Sequence, residues 1–245
     1  MKGAIVSSES MEELLAGAWV EPEVFALCPD YRVLLLAVDG MVPGPSDATS
    51  EALLTQAEEK ARELLDASPV DELPSVAAWR DAYRAFGAKP QRTRNSLEAL
   101  IRRAPAGMPR VNRLTDIYNA LSILHQLPLG GEDLPSYVGP PRLLRASGDE
   151  PFDTAAAGAS VVEFPEVGEV IWADAAGVTC RRWNWRQCRR TRLTDETTSA
   201  LFIMDALAPT SDAELAATAD ALVEKLMITA PGLRSSRRVI GARQS

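Results

Sequence analysis

A chain of 245 residues can bury one good core, or one core with a small subdomain, and is too short for several large domains. Its 34 acidic and 26 basic residues make it acidic overall, which by itself argues against a nucleic-acid partner. Three cysteines without CxxC spacing and a single histidine exclude the common zinc sets and any nucleophilic dyad that does not use His125, so no metal and no cofactor are expected. Residues 1–10 lack a secretory pattern, and the longest apolar run, residues 33–38, is too short to cross a bilayer; a reduced, cytoplasmic protein without a membrane partner is the expectation.

In chain order, strands are expected at residues 24–27 and 33–38, separated by a turn at Pro29-Asp30. After Pro43-Gly44-Pro45, one helix is expected from Ala48 to Asp66 and a second from Ser75 to Phe86, with Trp79, Tyr83 and Phe86 on a core-facing stripe. Asn95 and Glu98 have capping-box spacing for a third helix reaching Arg103. Asn112 caps a fourth, running to Gln126, whose apolar face is Leu114, Ile117, Leu121 and Leu124. On its other side Asn112, Asp116 and Asn119 form a polar strip with Ile123 among them, which reads either as a pocket wall or as a satisfied structural network.

Gly130-Gly131-Glu132-Asp133 reads as a polar bend, either a backbone approach to a ligand or a simple turn. Short β segments follow at residues 143–146, 159–164, 169–173 and 178–186, with a hairpin at Asp174–Gly177. A helix is expected from Thr194 to Leu207, and another, capped by Ser211 and Glu214, to Ile228; residues 233–245 read as a disordered basic tail.

Charge is unevenly distributed. Nine Lys or Arg lie between Arg80 and Arg113 against two acids, and six Arg lie between Cys180 and Arg192 with none, so a local positive field or a pair of solvated faces would fit. Within the second group, a period of two sends Arg182, Asn184 and Arg186 to one face and Arg181, Trp183 and Trp185 to the other. That pattern fits a half-buried strand, or a polyanion face in which guanidinium groups hold phosphate and Trp stacks on a base.

Five motifs in order, Arg94-Asn95-Ser96, Asp116 to Ala120, Leu127 to Gly131, Cys180 to Trp185 and Leu193-Thr194-Asp195, resemble one family: standalone versions of B3/4, the editing module of the bacterial phenylalanyl-tRNA synthetase β subunit. The resemblance runs from about Trp79 to Ile228. It implies an α+β fold, with a mixed, sandwich-like sheet flanked by helices around a pocket for the aminoacyl end of tRNA. The expected organisation is residues 1–78 as N-terminal strands and helix packing on the main domain, 79–232 as the editing-module-like domain, and 233–245 as the tail.

The activity implied is trans-editing: hydrolysis of a mischarged aminoacyl-tRNA ester for translation quality control, with canavanyl-tRNA among the substrates of such relatives. The alternative is a module that binds a tRNA end or an amino-acid-like ligand without turnover. The synthetase module's His-Ala-Phe-Asp run is replaced by Gly130 to Asp133 and its later Gly-Gly-Glu run is absent, so its tyrosine-selective residues are not carried over. An activated ester needs a placed water and donors for the carbonyl oxygen more than a nucleophile. Asp116 and Asn119 are therefore the expected catalytic pair; Asn112, Gly130, Gly131, Glu132 and Asp133 the substrate contacts; Arg94, Arg182, Trp183, Asn184, Trp185 and Arg186 the contacts to the tRNA acceptor end.

Overall fold

The computed structural model describes residues 7–156 and 158–242. In chain order its elements are α1 (Ser8–Gly17), β1 (Trp19–Val20), α2 (Pro22–Leu27), β2 (Arg32–Asp39), α3 (Ala48–Ala67), α4 (Pro74–Ala85), α5 (Ser96–Arg103), α6 (Arg113–Leu124), β3 (Leu129–Asp133), β4 (Arg142–Arg145), β5 (Phe152–Ala156), β6 (Ala159–Glu163), β7 (Val170–Asp174), β8 (Gly177–Arg181), β9 (Arg186–Gln187), β10 (Ser199–Ala206), α7 (Asp212–Met227) and β11 (Arg234–Gly241), with short 3-10 turns between some of them. One sheet has the order β11-β2-β10-β3 and is antiparallel; a second has the order β1-β4-β7-β8-β9, with β1 and β4 parallel; β5 and β6 form a separate hairpin. The fold is α+β, a mixed, sandwich-like sheet flanked by helices, as the motif order implies.

Strands β2 and β10 are apolar on both faces because both faces are covered. Leu34, Leu36 and Val38 of β2, with Phe202 and Met204 of β10, pack under α3, α5, α6 and α7. Val33, Leu35 and Ala37, with Leu201 and Ile203, face the second sheet and meet Trp172, Cys180 and Trp183 there. A third, smaller cluster fills the space between the second sheet and the β5–β6 hairpin. Burying each large side chain of this kind contributes about 1.5–3 kcal/mol before the entropy of ordering it is subtracted. The segment before residue 79 thus supplies a central strand of the four-stranded sheet, paired with β10 along its whole length.

Several helices follow their capping signals closely. Asp47 caps α3 by accepting from Thr49 and Ser50, and Ser211 and Glu214 form the reciprocal box of α7. Asn95 and Asn112 accept from the backbone N–H three residues on, opening α5 and α6.

Elsewhere the structure differs from expectation. Residues 22–27 form helix α2, because Pro22 stands at the first helical position, where its missing N–H costs nothing. Residues 194–207 do not form a helix; Thr194 and Thr197 make a turn and the apolar run after it becomes β10, buried on both faces. A continuous apolar run has no period of its own, and its two flanking strands decide the outcome. Residues 130–133 are not a bend but part of β3, paired with β10. The expected strand over residues 178–186 stops at Arg181, and residues 182–185 form a turn. The segment expected to be a disordered tail is ordered from 234 to 241 as edge strand β11; its arginines are anchored, Arg234 on Asp39, Arg237 on Asp220 at 2.6 Å, and Arg238 on the carbonyl oxygens of Ala16 and Ala18 at the end of α1. Residues 243–245 lie outside the described residues.

Candidate functional site

A cavity of about 150 Å³ opens where the two sheets part, between β3 and β10 on one side, the 182–185 turn on the other, and the first turn of α5 and the middle of α6 at the rim. The turn is an unusual piece of backbone. Arg182 and Trp183 are consecutive non-glycine residues with φ of 47° and 66°, a conformation that costs roughly 1–2 kcal/mol per L-residue. It is held by its surroundings: Trp183 N–H donates to Val170 O at 2.6 Å, Arg182 N–H to Glu169 Oε1 at 3.0 Å and Ser96 N–H to Asn184 O at 3.1 Å. Trp183 is fully buried, edge-on to Trp79 at 5.3 Å and to Tyr31 at 4.9 Å between ring centroids. That anchor leaves Asn184 and Trp185 at the cavity.

Two carboxylates line this space, both buried. Asp205 of β10 accepts from Tyr31 Oη at 2.6 Å and from Asn184 Nδ2 at 3.2 Å, while Asn184 Oδ1 accepts from Tyr83 Oη at 3.0 Å. Burial pushes the Asp205 carboxyl up to about 7, against the pull of its hydrogen bonds from Tyr31 and Asn184. Glu132 of β3 accepts from Tyr137 Oη at 2.5 Å through Oε2, and its buried Oε1 has no hydrogen-bond partner among the described residues. Burial raises it to about 7 as well, opposed by the hydroxyl of Tyr137. Trp172, Trp183 and Trp185 complete the wall. An aromatic wall with carboxylates behind it is chemistry for an ammonium or guanidinium group, and two carboxyls that titrate near neutrality are suited to proton transfer. Cys180 also lines the cavity, but burial holds its thiol well above the usual range, far from a thiolate nucleophile.

Of the residues singled out in the sequence, Asn119, Gly130, Glu132, Trp183, Asn184 and Trp185 meet at this cavity. The Asn119 amide makes no protein hydrogen bond among the described residues, so it is a free donor at the rim. Gly130 faces the cavity, where a Cβ would stand 3.1 Å from Gln187 Nε2. The others are elsewhere. Gly131 points the opposite way, its place for a Cβ 2.8 Å from the Phe202 ring. Asp133 is taken by Ser136 at 2.7 Å and Thr197 at 2.9 Å. Asn112 is the cap of α6. Asp116 is fully buried away from the cavity, accepting from the Ser46 hydroxyl and from Val111 N–H at 2.9 Å, so the polar strip on α6 divides: Asp116 belongs to a structural network and Asn119 to the pocket wall.

The alternation expected for residues 181–186 does not occur, since the left-handed turn breaks the period of two. Arg182 lies against Thr93 and Glu169, Arg186 against Glu163, and the two guanidinium groups stand 4.8 and 4.9 Å from the Trp185 ring. Arg94 is 3.7 Å from Glu98. Much of the expected positive field is cancelled at short range: Arg80 and Arg102 meet Glu98 at 2.8 and 2.9 Å, Arg110 meets Glu58 at 2.7 Å, Arg181 meets Glu169 at 2.7 Å and Arg190 meets Asp174 at 2.7 Å. Asp205, Tyr31, Tyr83 and Trp172 are site residues that sequence reasoning misses. A signal for Asp205 exists, a lone acid closing an apolar run, but a helical period assigned to that run hides it. His125 follows α6 outside the cavity, and burial lowers its pKa.

Among the described residues no group of three His, Cys, Asp or Glu side chains is placed to hold a metal ion, and no helix is long and apolar enough to cross a membrane. Comparison with solved structures finds a crystal structure of an N-terminal fragment of the phenylalanyl-tRNA synthetase β-subunit from Pyrococcus horikoshii, at 12% identity and a TM-score of 0.44, over 89% of this chain and 49% of the fragment; the chain spans about half the fragment's length. No curated protein matches. Residues 78–225, more than half of the chain, match the B3/4 domain, and the chain belongs to that family.

Proposed function

We propose that this chain hydrolyses the ester of a mischarged aminoacyl-tRNA in trans, as a cytoplasmic editing factor, on an amino acid with a cationic side chain. Canavanine, an arginine analogue, is one such amino acid. The observation that carries this reading is the Trp-walled cavity with Glu132 and Asp205 buried in its lining. At about 150 Å³ it is of the size that holds a benzene-like group, so it takes a side chain and leaves the nucleoside outside, across Trp185.

In this reading Glu132 is the general base: it takes a proton from water as the water oxygen bonds to the ester carbonyl carbon. The carbonyl oxygen, as it gains charge, takes a hydrogen bond from Asn119. The C–O bond to the ribose then breaks, and the ribose oxygen leaves with the proton that Glu132 received. Asp205, held by Tyr31 and Asn184, faces the cationic group of the amino acid.

The test is release of amino acid from a panel of charged tRNAs carrying standard residues and arginine analogues. Glu132→Gln should slow release by about 10² or more, whereas Asp116→Asn, outside the cavity, should leave release by folded protein unchanged. A panel that stays intact at enzyme excess would sink the proposal. The second reading, a binding module without turnover, is favoured by one observation: the carboxylate expected to orient water, Asp116, is sealed away from the cavity. Retention of a charged tRNA end or free amino acid without release would decide for it.

A further inference from the structure

A second cavity, about 280 Å³, lies on the other side of the 182–185 turn, walled by Lys89, Arg92, Thr93, Arg182, Glu166 and Glu169. Its charge does not cancel. Both oxygens of Glu169 are taken from behind by Arg181, at 2.9 and 2.7 Å, and Oε1 also accepts from Arg182 N–H. Arg182 is steered by the Thr93 hydroxyl and lies 3.6 Å from Glu169 and 3.8 Å from Glu166. The Glu166 side chain is 83% exposed, so that last approach is a weak surface pair that an anion can replace. Lys89 and Arg92 are exposed and have no ion pair among the described residues. At the lining itself three cations, Lys89, Arg92 and Arg182, thus face two carboxylates, while Arg181 behind them is shared between Glu169 and Glu163, the latter at 3.1 Å.

The loop that carries Lys89 and Arg92 is fixed in shape. Pro90 is buried, and Arg92 and Thr93 both donate their N–H to Lys89 O at 2.9 Å. Gly87, at φ 88°, has open space where a side chain would stand, which keeps the mouth wide. The two cavities are lined by neighbouring residues of the same two segments. Thr93 lines this one and Ser96 the other; Arg182 lines this one and Asn184 the other. Residues two apart have Cα atoms at most about 7 Å apart, so the two sites are neighbours across a single turn of backbone.

We propose that this cleft is a phosphodiester subsite, in which Lys89, Arg92 and Arg182 hold a backbone phosphate of the RNA strand whose end delivers the amino acid to the Trp-walled cavity. It rests on the editing reading for the identity of the strand; the chemistry it requires is a phosphate oxyanion facing guanidinium and ammonium groups. Free inorganic phosphate has the same chemistry, and the test separates the two.

The experiment measures fluorescence anisotropy of a labelled oligoribonucleotide ending in cytidine-cytidine-adenosine, titrated with the full chain at several salt concentrations. Lys89→Ala/Arg92→Ala changes only exposed side chains; it should weaken binding roughly tenfold and make the log–log salt slope shallower by about 0.7 for each phosphate that is no longer neutralised. Glu166→Gln should tighten binding, a gain that a merely structural role for the loop would not produce. Unchanged RNA affinity and slope in the double variant would overturn the proposal. So would loss of inorganic phosphate binding with RNA affinity intact, which would make the cleft a free-phosphate site. Glu132→Gln keeps the two readings apart: it should slow release by about 10² or more and leave oligonucleotide affinity unchanged. If no charged tRNA is hydrolysed yet RNA binding depends on Lys89 and Arg92, the editing reading fails and the subsite stands; if hydrolysis proceeds while RNA binding ignores both residues, the subsite alone fails.

Discussion

The two faces of the β11-β2-β10-β3 sheet are built from the same strands and do opposite work. Towards the helices, Leu34, Leu36, Val38, Phe202 and Met204 make a dry contact. Towards the second sheet, one strand position further along, stand Glu132 and Asp205, with Tyr31 and Asn184 bonded to Asp205, around a cavity. The difference teaches where this fold tolerates imperfection. Helices close over one face completely, whereas the second sheet turns away at Arg182–Trp185 and leaves space that polar groups must line. Buried carboxyls there are costly unless hydrogen-bonded or neutral, and both are raised to about 7 as a result.

If the helix-side face is the stabilising one, Phe202→Ala should produce the largest effect, about 3–5 kcal/mol lost in urea denaturation. A loss under about 1 kcal/mol would break the comparison. The cavity face should instead reveal itself through pH. Glu132 and Asp205 have ordinary values of 4.5 and 3.8 and titrate at about 7 when folded. The folded chain therefore binds more protons than the unfolded chain between these limits, so their contribution to stability is fully present below about 4 and is lost as pH rises through about 7. Glu132→Gln/Asp205→Asn should flatten that decline in denaturation midpoints taken from pH 4 to pH 8. An equally steep decline in the double variant would locate the titration elsewhere.

Adjacent glycines sharpen the contrast at smaller magnitude. Gly131→Ala drives a methyl into the Phe202 ring and should cost about 1–3 kcal/mol. Gly130→Val meets only the end of the Gln187 side chain, so stability should change by about 1 kcal/mol or less, while amino-acid release falls because the cavity is filled. Equal stability losses at the two positions would show that the faces are not distinct.

The caps of α5, α6 and α7 are legible in the sequence because each is a hydrogen bond closed within three residues, and β2 is legible as a short apolar run ending at Asp39-Gly40. Part of the candidate site is legible too: Asn119, Gly130 and the Trp183 segment stand in the family motifs, and Glu132 in the polar run that departs from them. Asp205 is not, because its run could be a helix or a strand until β2 and β3 pair with it on either side. Asp116 misleads for a related reason. A carboxylate on a helix face carries no mark of whether Ser46, 70 residues away, has already satisfied it.

What the sequence determined by itself is therefore what short-range backbone chemistry determines: the helices with caps, the stops at proline and glycine, and an ordered set of motifs that identifies the family. Tertiary structure alone decided which apolar run became the second central strand, how the arginines were neutralised, and which carboxylates face open space. Those outcomes depend on partners far along the chain, such as Tyr31 and Asp205, 174 residues apart. Burial and electrostatic pairing act through space, so they are settled only when the two sheets close on each other.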